Sequence, residues 1–105
     1  MNTEELIQFA IDKIEDLKAR DIKVLDVSDK SNITDALIIC SGNSKRHVAS
    51  IANNLVVEAK KAGIPPLSVD GEDVGEWVLV DMGDVIVHVM QDATRDYYQL
   101  EKLWG

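Results

Sequence analysis

The stretch Ala36-Leu37-Ile38-Ile39-Cys40-Ser41-Gly42-Asn43-Ser44 decides the fold class of this 105-residue chain. Its first five residues are apolar without alternation, which is typical of a strand covered on both faces. The polar residues that follow end that strand, and Ser44 is a favourable N-cap for a helix over residues 45–62. Gly63 is placed to end the helix. With a further strand at residues 67–69, the unit is predicted to be a right-handed parallel crossover.

A helix over residues 3–19 and a strand over residues 22–27 are predicted before this unit. Asn2 and Glu5 have the spacing of a capping box at the start of the helix. The strand alternates imperfectly between apolar and polar residues, which suggests that it lies at an edge of the sheet. Spacings of three and four place the apolar residues of the helix on one face: Leu6, Ile7, Ala10, Ile11, Ile14 and Leu17.

Two more strands and a short helix are predicted after the crossover. The strands cover residues 77–81 and 85–90, and Met82-Gly83 between them fits a tight hairpin in which glycine supplies the positive φ. Asp92 can cap a terminal helix. One side of that helix is expected to carry Tyr97, Leu100, Leu103 and Trp104. The sum is an α/β fold, one domain over residues 1–105, with a mixed β-sheet flanked by helices.

The composition limits the classes of partner. Eleven basic against nineteen acidic residues give a net charge of -8, which disfavours RNA, DNA and anionic membranes and favours basic proteins. A single cysteine allows no intrachain disulfide, and no stretch reaches the roughly 18 apolar residues of a membrane span. The N-terminal residues are acidic where a secretory signal is basic. We expect a soluble cytoplasmic protein.

Cys40 and Arg46 suggest one enzymatic alternative, a cysteine-dependent phosphatase. A cysteine that precedes an arginine between a strand and a helix N-terminus is a pattern that can bind phosphate and lower the pKa of the thiol. However, cysteine is among the residues most often buried, and only two positions define the pattern. No histidine precedes Cys40, and Asp70 and Asp92 are only weak candidates for a general acid. Catalysis is therefore the less favoured interpretation.

Ser41-Gly42 after a strand also resembles the start of a phosphate loop in nucleotidyl-transferring enzymes. Those enzymes need carboxylates around a divalent metal, and residues 51–54 contain none. Asp81 and Asp84 flank the hairpin, where aspartates are more often turn residues than metal ligands. The two histidines, His47 and His88, do not have the spacing of metal ligands. Neither a metal nor another cofactor is expected.

The aromatic residues are few and unevenly placed. Four of the five, all except Phe9, belong to the last third of the chain. Consecutive Tyr97 and Tyr98 point about 100° apart on a helix, so at least one should leave the core. Packing of the terminal helix explains this pattern, and so does an aromatic protein-binding surface, because Tyr and Trp are common interface anchors.

Several motifs together resemble the ribosomal silencing factor family, also called the Iojap family. The resemblance covers essentially the whole chain, with no departure that we can identify. Its most specific part is residues 77–90, which continues into residues 95–104. The other matching motifs are residues 12–18 with Asp21-Ile22, Ile33-Thr34-Asp35, and residues 41–48 with Ile51-Ala52.

The resemblance implies a nucleotidyltransferase-like fold without catalytic carboxylates, and a protein that is not an enzyme. It implies binding to the large ribosomal subunit through ribosomal protein L-fourteen, which sterically blocks joining of the two subunits and represses translation under nutrient limitation. Cys40 would then be structural, and a homodimer is plausible. A dimeric adaptor for some other basic partner is a further alternative.

By the same resemblance, the contact surface should come from the hairpin and the terminal helix. Trp77 and Tyr98 are the predicted anchors, and Asp81, Asp84 and Glu101 are expected to face basic side chains. Alternation in an apolar strand does not reveal which face points outward. Three further contacts are therefore expected with less support: Met82, His88 and Met90.

Overall fold

Helices and strands follow the chain in an order close to the predicted one. The computed structural model describes residues 1–104. In chain order the elements are α1 (Thr3–Asp16), β1 (Arg20–Asp26), β2 (Ala36–Gly42), α2 (Lys45–Lys61), β3 (Ser68–Asp70), β4 (Trp77–Asp81), β5 (Val85–Gln91), α3 (Asp92–Tyr98) and α4 (Leu100–Trp104).

The strands form one mixed sheet in the order β1-β2-β5-β4-β3. β2 and β5 are parallel neighbours, and the other pairs are antiparallel. The predicted mixed sheet and the edge position of β1 are therefore confirmed. β2 and β3 run in the same direction, as a parallel crossover requires, but β5 and β4 lie between them. Every residue of β2 is buried, because this strand pairs on both edges and is covered on both faces.

The two faces of the sheet are covered differently. α1 and α2 pack on one face, where alternate strand residues form the core. We call this the helix-covered face. The opposite face, which we call the open face, carries the shorter helices α3 and α4. The strand residues on the helix-covered face are Ala36, Ile38, Cys40, Val78, Val80, Val85, Val87 and Val89. Those on the open face include Leu37, Trp77, Leu79, Ile86, His88 and Met90.

Local signals set most of the helix ends. The capping box of α1 is confirmed, since the Asn2 side chain accepts from the Glu5 amide and the Glu5 side chain accepts from the Asn2 amide. α1 ends at Asp16 rather than at residue 19, because Lys18 adopts a left-handed backbone with φ 61°. Gly42 allows α2 to start close to the sheet: a Cβ there would lie 2.8 Å from Cγ2 of Val48.

The terminal helix is not continuous, which corrects the prediction. Gln99 has φ 50° and ψ 52°, and this left-handed residue ends α3 and turns the chain into α4. Tyr97 and Leu103 are 81% and 72% exposed. Leu100 and Trp104 instead line a groove against the sheet. The four residues predicted on one side of a helix therefore divide into two groups, because the turn at Gln99 breaks the helical period.

Candidate protein-binding face

Trp77 is the centre of an aromatic cluster on the open face. Its Nε1 donates a hydrogen bond to Nδ1 of His88, 3.0 Å away. The Trp77 and Tyr98 ring centroids lie 4.8 Å apart with an interplanar angle of 51°. Tyr97 stands edge-on to Tyr98 at 5.0 Å. β4, β5 and α3 therefore bring together side chains that are up to 21 positions apart in sequence, and we call these four residues the aromatic cluster.

The aromatic cluster leaves much of its ring surface accessible to solvent. Tyr98 is 53% exposed, Tyr97 is more exposed still, and Trp77 is half-buried. Large aromatic side chains that are neither buried nor isolated are the usual anchors of protein interfaces. By contrast, His88 is 7% exposed and Met90 is fully buried, so these two residues present little or no contact surface in the folded chain.

The hairpin residues lie at the other end of β4. Trp77 and Asp81 share the open face but stand roughly 13 Å apart along the strand. One Asp81 carboxylate oxygen accepts the Gly83 amide at 2.8 Å, which stabilises the turn. Met82 packs against the core on the helix-covered side. Asp84 is exposed. The structure thus does not bring Met82 or Asp84 into the aromatic cluster.

Glu101 is partly exposed and has a partner within the chain. It accepts a hydrogen bond from Nε of Arg95 at 3.1 Å, and Nη1 of Arg95 donates to the Ser41 hydroxyl at 2.8 Å. Arg95 is only 8% exposed. It therefore joins α3 and α4 to the end of β2. This role of Arg95 could not be predicted from the sequence, because Ser41 is 54 positions away and Glu101 lies beyond the break between the two helices.

α4 crosses the open face and leaves a groove of about 230 Å³ beneath it. Lys30 Nζ donates to the Trp104 carbonyl at 2.9 Å, which holds the end of α4 against the loop after β1. The groove is mainly apolar, and it is continuous with the aromatic cluster through His88. Its other lining residues are Val27, Ser31, Ile33, Thr34, Leu37, Leu79, Ile86, Leu100 and Trp104.

The negative charge is concentrated in the last third of the chain. Residues 1–69 contain ten acidic and nine basic residues, whereas residues 70–105 contain nine acidic and two basic ones. One of those two bases is the buried, paired Arg95. The loop at residues 71–76, with the adjoining Asp70, carries four carboxylates and no base, and it leads directly into Trp77. We call residues 70–76 the acidic loop.

The acidic loop is held against β4 by a glycine. Gly71 has φ +86°, and a Cβ at this position would lie 2.1 Å from the carbonyl oxygen of Trp77. Only glycine allows the backbone to pass this close in this conformation. Of the loop carboxylates, Glu76 lies beside Tyr97 and Tyr98, whereas Glu72 lies on the other side of the loop, against α2.

A larger cleft, of about 640 Å³, lies elsewhere on the open side, between β1 and the terminal helices. Two ion pairs lie in this cleft: Arg20 contacts Asp92 at 2.8 Å, and Arg95 contacts Glu101 at 3.1 Å. The Arg20 guanidinium lowers the pKa of the Asp92 carboxyl below its ordinary value. We therefore interpret these side chains as ties between β1 and the terminal helices, not as a ligand site.

The phosphatase interpretation of Cys40 is contradicted by the position of its thiol. Cys40 has no exposed surface and lies in the core on the helix-covered face. Burial raises the pKa of the thiol to about 12. A cysteine nucleophile must be accessible to its substrate and must ionise readily, and Cys40 meets neither requirement. The predicted phosphate site is therefore wrong. Arg46 is exposed in the first turn of α2.

His47 has a structural role at the start of α2. Its Nδ1 accepts the Asn43 amide at 2.9 Å, and its Nε2 lies 2.6 Å from the Leu17 carbonyl oxygen. Within residues 1–104, no three His, Cys, Asp or Glu side chains are grouped as metal ligands would be. In the same described part of the chain, no helix combines the length and apolar character needed to cross a membrane.

Comparison with known proteins places this arrangement in a family. Residues 1–105 match the family model described as "Ribosomal silencing factor during starvation". The ribosomal silencing factor RsfS of Haemophilus influenzae is 46% identical over 95% of this chain and 98% of its own length. A more distant relative in mouse, named mitochondrial assembly of ribosomal large subunit protein 1, is 38% identical over 82% of this chain and 39% of its own length.

The fold has a close match among crystal structures. A protein from Chromobacterium violaceum superimposes with a TM-score of 0.98 and 45% identity, over 100% of this chain and 88% of the other. The sequence match and the structural match thus both extend over nearly the whole of this chain. On these grounds, the chain belongs to the ribosomal silencing factor family.

Proposed function

We propose that the chain docks on the large ribosomal subunit through the aromatic cluster and the acidic loop, and that its partner there is the basic ribosomal protein L-fourteen. The observation that carries this proposal is the position of half-buried Trp77 and exposed Tyr98 beside Glu76 of the acidic loop. Aromatic anchors surrounded by charge of one sign are a combination that fits a partner of opposite charge.

Electrostatics favour a protein over RNA as the direct partner. Nucleic-acid affinity depends mainly on lysine and arginine contacts to phosphate, and residues 70–105 offer only Lys102 besides the buried Arg95. A basic ribosomal protein attracts the acidic loop, speeds encounter and orients the docking surface. The phosphate backbone of ribosomal RNA would repel the same surface.

Docking at a subunit interface is sufficient to explain repression of translation. The folded chain measures 32 × 32 × 20 Å, so even its smallest dimension separates two surfaces far beyond contact distance. A bound molecule therefore blocks joining of the small subunit by steric exclusion, without turnover of any substrate. The name of the mouse relative, which refers to assembly of the large ribosomal subunit, supports the choice of subunit.

Three further aspects belong to the same proposal. The chain acts as a binding protein and not as an enzyme, a role supported by the names of its relatives, and burial of Cys40 removes the support for the phosphatase alternative. It acts in the cytoplasm, where bacterial subunits join, and it does so when nutrients are limiting. The nucleotidyltransferase-like ancestry and the homodimer stay predictions, and sedimentation of the chain alone measures the latter.

The test is sedimentation of the chain with isolated subunits through a density gradient at physiological salt. We expect wild-type chain to migrate with the large subunit only, and to reduce the fraction of joined ribosomes when both subunits are mixed. The variant Trp77→Ala/Tyr98→Ala should lose both effects, whereas Val57→Ala, an exposed change on the far side of the sheet, should keep them. Wild-type binding to the small subunit, or to neither, would contradict the proposal.

A further inference from the structure

We propose that His88 is a positioning residue of the docking surface: its Nδ1 holds the indole of Trp77 in the half-exposed orientation that packs against Tyr98. This inference rests on the proposed function, because it assigns His88 a role in that docking. It also changes the role predicted from the sequence, in which His88 was itself a contact. With 7% of its surface exposed, His88 acts on a partner through Trp77.

The surroundings of His88 make a purely space-filling role a poor explanation. It lies in β5, opposite Leu79 of β4 and Ile39 of β2, and it lines the mainly apolar groove. An imidazole loses hydration when it is buried there, whereas an aliphatic residue could occupy the position without that penalty. The hydrogen bond from Trp77 offsets this cost.

The chemistry of the two rings determines the direction of the hydrogen bond. An indole N–H only donates, so Nδ1 of His88 must accept. Burial lowers the pKa of His88 to about 4, so the ring is neutral at physiological pH and one nitrogen is available as an acceptor. Nε2 therefore carries the ring proton. This assignment keeps the acceptor available under the conditions in which a ribosome-binding protein works.

The geometry explains why Trp77 needs such support. Its indole is held on one side by His88 and on another by Tyr98, with ring centroids 5.8 Å and 4.8 Å from its own. Tyr98 is itself more than half exposed, so it constrains the indole less than a buried neighbour would. His88, fixed in a central strand, is the rigid partner. An anchor that is already oriented loses less side-chain entropy on binding.

The experiment compares variants that remove and restore the acceptor. His88→Phe keeps a planar ring but cannot accept the indole proton, and His88→Leu does the same with an aliphatic side chain. In His88→Asn, the amide oxygen branches from Cγ as Nδ1 does, so it can accept the proton again. Circular dichroism and thermal unfolding establish that each variant is folded, and the two acceptor-free variants serve as alternatives to each other.

The first readout is the indole N–H signal of Trp77 in a proton–nitrogen NMR spectrum, identified by its loss in Trp77→Phe. We expect this signal to shift and to exchange faster with water in the acceptor-free variants, and to return toward its wild-type behaviour in His88→Asn. Backbone amide signals of α1, which packs on the opposite face of the sheet, serve as an internal reference. An unchanged Trp77 signal in a folded acceptor-free variant would overturn the inference.

The second readout is affinity for isolated large subunits, measured in wild-type and Trp77→Ala backgrounds. We expect the acceptor-free variants to weaken binding roughly 2- to 10-fold, the range that ordering one aromatic side chain represents. His88→Asn should bind within about 2-fold of wild type, a smaller change than that range. In the Trp77→Ala background, the His88 substitutions should have no further effect, because the group that His88 positions is gone.

The possible failures are distinguishable. If the His88 substitutions weaken binding equally with and without Trp77, His88 acts by another route and the inference is wrong. If the wild-type chain does not bind large subunits, the proposed docking is wrong and so is a role for His88 in it. The NMR signal would then still report whether His88 orients Trp77, independently of any ribosome.

Discussion

Adjacent residues of the same strands have opposite roles on the two faces of this sheet. On the helix-covered face, Val78 and Val87 are completely buried in a core of aliphatic side chains. On the open face, their neighbours Trp77 and His88 are joined by a hydrogen bond, and Trp77 reaches solvent. The first face has the features of a stability core, and the second has those of a binding surface.

The covering helices account for this difference. α2 has 17 residues and buries five of them, whereas α4 has five residues and buries none. The open face therefore stays partly accessible at Trp77, Leu79 and Ile86, around the aromatic cluster and the groove. Substitutions on the helix-covered face should therefore change mainly stability, and substitutions on the open face should change mainly docking.

The largest effect should come from the helix-covered face. Leu55→Ala removes a fully buried side chain of α2, so the free energy of unfolding should fall by about 2–5 kcal/mol. Urea denaturation measures this loss. Val57→Ala, a change on the same helix at a position that is 38% exposed, is the control and should alter stability by less than about 0.5 kcal/mol. The folded fraction of Leu55→Ala should bind large subunits normally. Weakened binding by that fraction would show that the helix-covered face also contributes to docking.

The next largest effect should be on docking. Trp77→Ala removes the proposed central anchor, and it should weaken binding to the large subunit by about 2 kcal/mol or more, which is roughly 30-fold. Because Trp77 is only half-buried, its truncation should lower the free energy of unfolding less than Leu55→Ala does. Titration of labelled chain with large subunits measures the affinity. Normal docking by this variant would remove the aromatic cluster from the proposal.

A smaller effect should follow from charge alone. Asp73→Asn/Glu76→Gln in the acidic loop, where Glu76 lies beside Tyr97 and Tyr98, and Glu15→Gln/Asp16→Asn at the end of α1 remove the same amount of charge. Only the first pair should slow association with the large subunit, by about 2- to 5-fold at low salt, because steering depends on charge near the docking surface. The difference should diminish at high salt. Equal slowing by both pairs would show that net charge, rather than its position, matters.

The smallest effect concerns the polar cleft beside β1. The Arg20 side chain lowers the pKa of Asp92 from its ordinary value of 3.8, so the ionised carboxylate is favoured in the folded chain. The resulting stabilisation is present above pH 3.8 and is lost as the pH falls through the lowered folded-state value. Asp92→Asn should therefore be less stable than wild type at pH 7, and the two should converge in strong acid. Parallel unfolding curves against pH test this, and a constant gap would contradict it.

The sequence predicted most local features well, except that Gln91 rather than Asp92 precedes α3 and makes no side-chain cap hydrogen bond. Asn2 and Glu5 form the capping box, and Ser44 caps α2 through the His47 amide. The hairpin at Met82-Gly83 forms with Gly83 at φ +91°. Each of these features depends on residues only a few positions apart, so their identities were sufficient.

The sequence predicted poorly wherever distant segments compete. Leu100 and Trp104 were expected to continue the helix of Tyr97. Instead, the chain turns at Gln99, and this turn places both side chains against the sheet. Cys40 fitted a phosphate-binding pattern, and only its position in the core shows that the thiol is inaccessible. The hydrogen bond between Arg95 and Ser41 could not be predicted, because the two residues are 54 positions apart in sequence.

By itself, the sequence determined the kinds of element, their order, the acidic character and the family resemblance, because these depend on composition, periodicity and short-range motifs. Only the tertiary structure decided which strand face is open. Period-two alternation defines two faces, but β5 is apolar at most positions on both. The packing of α1 and α2 covers one of them, and this leaves Trp77, held by His88 and Tyr98, on the other.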